Sequence, residues 1–179
     1  CIRDRFNKTE LYILEIGFGT GLNALLTAFY GNTVKINYTG VEAYPVKPEE
    51  LEVLDYASVL PDFKTAAAIF NKMHQVDWEK SLPITSNFSL NKQKKTFQEI
   101  DDKEVFDLIY FDAFGARVQP ELWTEVIFQK MYDSLKLNGV LVTYAAKGSV
   151  RRAMQAVGFT VERLPGPPGK REMLRAVKK

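Results

Sequence analysis

Two hydrophobic patterns alternate along the chain: compact apolar runs of strand length, and longer stretches in which apolar residues recur every three or four positions. Leu11 to Ile16 is an apolar run that ends in a glycine cluster, and Leu22 to Phe29 then has helical spacing. Val34 to Val41 predicts a second strand. Pro48, Glu49 and Glu50 open a helical region, where proline and acid suit a first turn. Pro61 divides that region, and a second helix is expected from Asp62 to His74, before Pro83 and its Ser/Asn surroundings mark a loop. Phe88 to Lys95 alternates as a third strand, and Val105 to Phe111 has the continuous apolar character of a strand buried on both faces, which implies a parallel sheet. Pro120 starts a helix expected to reach about Leu137, Asn138-Gly139 ends it, and Val140 to Ala145 forms the next strand. Ser149 is placed as the cap of a helix through Ala156 that Gly158 stops. Phe159 to Arg163 and Met173 to Val177, joined by a Pro/Gly loop without a helix, read as an antiparallel hairpin closing an otherwise parallel sheet.

Composition narrows the chemistry. The 179 residues suit one α/β domain spanning 1–179, able to bury a core without disulfides or metals. The chain starts without Met and reaches its first strand within about ten residues, so an N-terminal part is expected to be missing. A single cysteine, Cys1, and no Cys/His cluster of metal spacing point to a cytoplasmic, metal-free protein, and no apolar run is long enough for a membrane span. The only histidine, His74, reads as a packing or surface residue rather than a catalyst. Net charge is only +2, but nine basic residues against two acidic ones lie between Lys147 and Lys179. That segment is either an anion-facing surface or a solvated face.

The motif that carries chemistry is Glu15-Ile16-Gly17-Phe18-Gly19-Thr20-Gly21-Leu22-Asn23, set between the first strand and the first helix. Glycines there let the chain turn sharply and bring a ligand against main-chain N–H groups. A dinucleotide fingerprint would need glycine at 22, yet position 22 is Leu and the third glycine is Gly21. The pattern acid-x-Gly-x-Gly-x-Gly favours S-adenosylmethionine, whose sulfonium, amino acid and ribose suit carboxylates at strand ends. Glu15 and Glu42 qualify, and Glu42 closes the second strand 21 residues after Gly21, the place of a ribose-binding acid. Taken alone, Glu42 reads equally as a solvated strand end. The expected fold is thus α/β, a Rossmann-like class I methyltransferase with a mostly parallel seven-stranded sheet, an antiparallel C-terminal hairpin and helices on both faces.

Four blocks in order resemble one family. They are Leu14 to Asn23, then Tyr110-Phe111-Asp112-Ala113-Phe114 with Gln119 to Thr124, then Val150-Arg151-Arg152 with Gly158-Phe159, and finally Gly169 to Leu174. Together they span nearly the whole chain and resemble the methyltransferase domain of the bacterial MnmC-type enzymes, which complete 5-methylaminomethyl(-2-thio)uridine at the tRNA wobble position. The resemblance implies S-adenosyl-L-methionine as cofactor, the tRNA anticodon arm as partner, and a separate flavin-dependent oxidase acting upstream. It maps the family's active-site aspartate onto Asp112 and its ribose acid onto Glu42. The cofactor set is then Glu15, Gly17, Phe18, Gly19, Thr20, Gly21, Asn23, Glu42, Thr96, Phe97 and Asp112. Two departures stand out: Thr96 lies where the family often has Asp near the adenine, and Gly115-Ala116-Arg117 replaces a common Ala-Pro after Phe114.

On this reading Asp112 orients the acceptor nitrogen and takes its proton, whereas its alternative is a carboxylate capping a strand end. Phe114 and Tyr144 would line the pocket, or simply pack. Lys147, Arg151, Arg152, Lys170 and Arg171 would meet tRNA phosphates. A methyltransferase of small amines or proteins would need no such basic run, and a non-catalytic RNA-binding module would need no cofactor site.

Overall fold

The computed structural model describes residues 6, 8–31, 33–166, 169 and 171–179. Its strands are β1 (Glu10–Ile16), β2 (Lys35–Val41), β3 (Ser81–Pro83), β4 (Phe88–Gln93), β5 (Phe106–Phe111), β6 (Leu135–Thr143), β7 (Thr160–Pro165) and β8 (Glu172–Val177). The helices are α1 (Leu22–Tyr30), α2 (Pro48–Leu51), α3 (Phe63–Gln75), α4 (Glu125–Ser134) and α5 (Gly148–Ala156). All eight strands form one sheet in the order β3-β4-β2-β1-β5-β6-β8-β7. The pairs β4·β2, β2·β1, β1·β5 and β5·β6 are parallel, and β3·β4, β6·β8 and β8·β7 are antiparallel.

Helices cover both faces because the central strands carry apolar side chains on both sides. Leu14, Ile16, Ile109 and Phe111 pack with Ile127, Phe128 and Met131 of α4 and Val150 and Met154 of α5. Leu11, Ile13 and Leu108 pack with Ala24 and Leu25 of α1 and Ile69, Phe70 and Met73 of α3. The parallel strands end at one carboxyl edge, and the strand order reverses beside β1, the position at which open α/β sheets bind ligands.

Four expectations change. The sheet has eight strands rather than seven: Pro83 closes the short edge strand β3, whose missing N–H costs nothing where no neighbour lies beyond. The helix expected from Pro120 to Leu137 is shorter. Pro120–Trp123 is a 3-10 turn, extended Thr124 interrupts it, and α4 stops at Ser134 because Leu135 is already extended and paired with Phe106. Asn138, at φ 64°, and Gly139 form an irregularity inside β6 rather than a helix end, tied down by Asn138 N–H to Lys178 O at 2.8 Å. Lys147, not Ser149, occupies the cap position of α5, and no side chain bonds there.

Candidate functional site

The loop after β1 is glycine-built because its backbone demands it. Gly17, Gly19 and Gly21 have φ of 85°, 51° and 77°. A Cβ on Gly17 would lie 3.0 Å from the carbonyl oxygen of Asp112, so the loop lies directly against the end of β5. At Gly19 a Cβ would meet only Gly17 O at 4.0 Å, which leaves this backbone open to a ligand. The N–H groups of Gly17 and Phe18 both donate to Val41 O at 3.0 Å, and that of Gly19 donates to Glu42 Oε2 at 2.9 Å. Glu42 Oε1 accepts from Tyr44 N–H at 2.9 Å. The acid after β2 thus braces the glycine loop through both of its carboxylate oxygens.

Thr20 is held through Tyr56, hydroxyl to hydroxyl at 2.9 Å, and its carbonyl lies 3.2 Å from His74 Nε2. Burial pushes the His74 imidazole below its usual range, with Lys92 adding to the effect, so the ring is a neutral support for the loop. Sequence reading gave His74 a packing or surface role and missed Tyr56, Tyr38 and Gly40, because aromatic residues and a lone strand glycine carry no local signal of what they face.

Several site expectations are corrected. Glu15 is 1% exposed, so it presents no charge to a ligand. Its carboxyl accepts from Asn23 Nδ2 and the Tyr38 hydroxyl, both at 2.8 Å, and burial pushes it up to about 8, keeping it protonated near neutrality. The Phe18 side chain is buried against Gly40, His74 and Trp78, leaving only its backbone at the loop. Phe97 is buried against Phe111 in the core, which takes its side chain out of the expected cofactor set, whereas Thr96 stays exposed with its hydroxyl donating to Glu99 at 2.7 Å as a cap.

Asp112 is exposed at the end of β5, its N–H donating to Ile16 O at 2.9 Å and its Oδ2 accepting from Asn23 Nδ2 at 2.9 Å. Beside it opens a cleft of about 150 Å³ lined by Asn23, Tyr110, Phe111, Asp112, Val142, Thr143, Tyr144 and Met173. The next two carbonyls are fixed by aromatic donors: Tyr144 hydroxyl to Ala113 O and Trp123 Nε1 to Phe114 O, both at 2.8 Å. Burial raises the Tyr144 hydroxyl above its usual range, and the charge of Asp112 adds to this. The Phe114 ring stays 71% exposed. A carboxylate, an exposed ring and an open glycine loop therefore meet at one edge, which suits a cofactor with ribose and amino acid ends.

Residues 62–179 match the family described as S-adenosyl-L-methionine-dependent methyltransferases. The chain belongs to that family. The methyltransferase is also 26% identical over 175 residues to the "tRNA 5-methylaminomethyl-2-thiouridine biosynthesis bifunctional protein MnmC" of Campylobacter hominis, covering 94% of this chain and 26% of that protein. The protein of the same name from Aromatoleum aromaticum is 29% identical over 182 residues, with 94% and 28% covered. The chain thus spans about a quarter of the length of these relatives. In structure it is similar to MNMC2 from Aquifex aeolicus, with a TM-score of 0.75 and 20% identity over 99% of this chain and 56% of that one. The N-methyltransferase NodS of Bradyrhizobium japonicum shares the fold at a TM-score of 0.56 and 14% identity, with 98% and 89% covered.

Of the basic residues, the methyltransferase exposes Lys147, Arg152 and Arg171, whereas Arg151 is half-buried within α5. Lys170 lies outside the described residues. Because Thr143 pairs with Leu174, Arg171, immediately before β8, sits at the same sheet edge as Tyr144 and Lys147.

Proposed function

We propose that this methyltransferase moves the methyl group of S-adenosyl-L-methionine onto the aminomethyl nitrogen of 5-aminomethyl(-2-thio)uridine at the tRNA wobble position. One observation carries the reading: Asp112 stands exposed at the end of β5, beside the exposed ring of Phe114 and against the glycine loop. The names of the MnmC relatives support the choice of nucleoside.

The bound cofactor supplies an electrophilic methyl on a sulfonium. Everything else falls to the chain. Glu42 and the open backbone at Gly19 hold the ribose side. Asp112 would accept a hydrogen bond from the acceptor amine, turning its lone pair toward the methyl and drawing off the proton as the C–N bond forms and the methyl's bond to sulfur breaks, with the neutral thioether S-adenosylhomocysteine as the leaving group. A positioned base contributes about 10²–10⁴ in rate, and alignment of the reactants contributes more. Phe114 offers a face against which an extruded base stacks, as enzymes acting on bases require. The exposed Lys147, Arg152 and Arg171 meet phosphates of the anticodon arm, and a flavin-dependent oxidase acting upstream supplies the free amine.

The test is transfer of tritiated methyl to tRNA that carries the 5-aminomethyl nucleoside, run against small primary amines and against tRNA without that nucleoside. Transfer confined to the first substrate is expected. Transfer to small amines alone would overturn the tRNA assignment and leave a small-amine methyltransferase.

A further inference from the structure

Asn23 spends both of its amide N–H groups on carboxyl oxygens: Glu15 Oε1 at 2.8 Å on one side and Asp112 Oδ2 at 2.9 Å on the other. We propose that Asn23 is a positioning residue for Asp112, a clamp that fixes one carboxylate oxygen so that the other faces the cleft. The proposal rests on the reading of Asp112 as the group that meets the acceptor amine.

The clamp is anchored from behind. Glu15 is buried in β1 and bonded to Tyr38 on β2, so the amide meets a fixed acceptor rather than a mobile side chain. The backbone of Asn23 is held too, since its carbonyl accepts from the Thr27 hydroxyl at 2.7 Å, one turn along α1. With both N–H groups committed, the amide cannot rotate without abandoning a buried acceptor. An exposed aspartate with free rotation would sample several orientations, whereas Asp112 is held at its N–H by Ile16 O and at Oδ2 by Asn23. Held in this way, Oδ1 has one direction. The buried proton on Glu15 fits the same arrangement, because a neutral acid lets one amide bridge to Asp112 without setting two full negative charges on it.

A misplacement of about 1 Å at a reacting centre can cost about 10² in rate. The experiment is a double-mutant cycle of Asn23→Ala and Asp112→Ala, with methyl transfer to tRNA carrying 5-aminomethyl-2-thiouridine read as kcat and KM, and cofactor affinity read by calorimetry. Asn23→Ala should lower kcat roughly ten- to a hundredfold, by more than it weakens cofactor affinity, and should have almost no further effect on kcat once Asp112 is Ala. If the alanine variant does not fold, Asn23→Leu, which keeps the volume without the donors, takes its place in the cycle. Effects that multiply independently would overturn the clamp while leaving Asp112 as the acceptor's partner. Wild-type kcat in Asp112→Ala would overturn both.

Discussion

Gly40 and Phe18 claim the same space: a Cβ on Gly40 would lie 2.3 Å from Cδ2 of the Phe18 ring. Phe18 sits in the glycine loop with its N–H on Val41 O, and its ring is closed in by Trp78 and His74, so it has nowhere to retreat. Gly40→Ala is therefore expected to cost about 1–3 kcal/mol of stability and to weaken cofactor binding by shifting the loop. Urea unfolding and calorimetry check the two effects. Full cofactor affinity in a destabilised variant would show that the ring packs without setting the loop.

Glu15 makes stability depend on pH. Its ordinary value is 4.5 and its folded value about 8, so between those limits the folded state holds a proton that the unfolded state has released. Its contribution is complete below about pH 4.5, falls as pH rises, and is lost above about pH 8, at about 1.4 kcal/mol per unit. Glu15→Gln cannot ionise. Its stability relative to wild type should rise steadily from pH 5 to pH 8 in urea titrations. A difference that stays flat across that range would mean that Glu15 is ionised in the fold.

Glu42 gives one oxygen to Gly19 N–H and the other to Tyr44 N–H. Glu42→Gln keeps the size but turns an NH₂ toward one of these donors, so one bond must break. Affinity for S-adenosyl-L-methionine should fall about ten- to a hundredfold, the cost of one unsatisfied group in the site. Calorimetry on the folded variant reads it directly, and unchanged affinity would remove Glu42 from the cofactor site.

Replacing Lys147, Arg152 and Arg171 together by Ala should weaken tRNA binding and flatten its salt dependence, by a slope of about 0.7 for each phosphate no longer neutralised. Cofactor affinity should not move, since none of the three lies in the glycine loop. Filter binding across a salt series measures the slope. An unchanged slope would mark these charges as a solvated face.

The sequence by itself determined what depends on neighbours along the chain. Positive φ at Gly17, Gly19 and Gly21 is a local demand that glycine meets, so the strand, loop and helix around them were legible. The doubly apolar run of β5 announced a central parallel strand, and Asp112 follows from its end. Acids, rings and turn residues were less legible, because their meaning depends on partners far away in sequence. Glu15 looks like a ligand-facing acid until Tyr38, from the neighbouring strand, and Asn23 enclose it. Phe97 looks like a cofactor contact until Phe111 draws it into the core. Asn138-Gly139 has the chemistry of a helix end, but Leu135 gains a strand partner in Phe106 and the helix stops four residues earlier than Asn138. The placement of β8 between β6 and β7 is likewise a matter of which edge is free to accept hydrogen bonds. Only the assembled sheet decides that, because backbone N–H and C=O groups are alike in every strand.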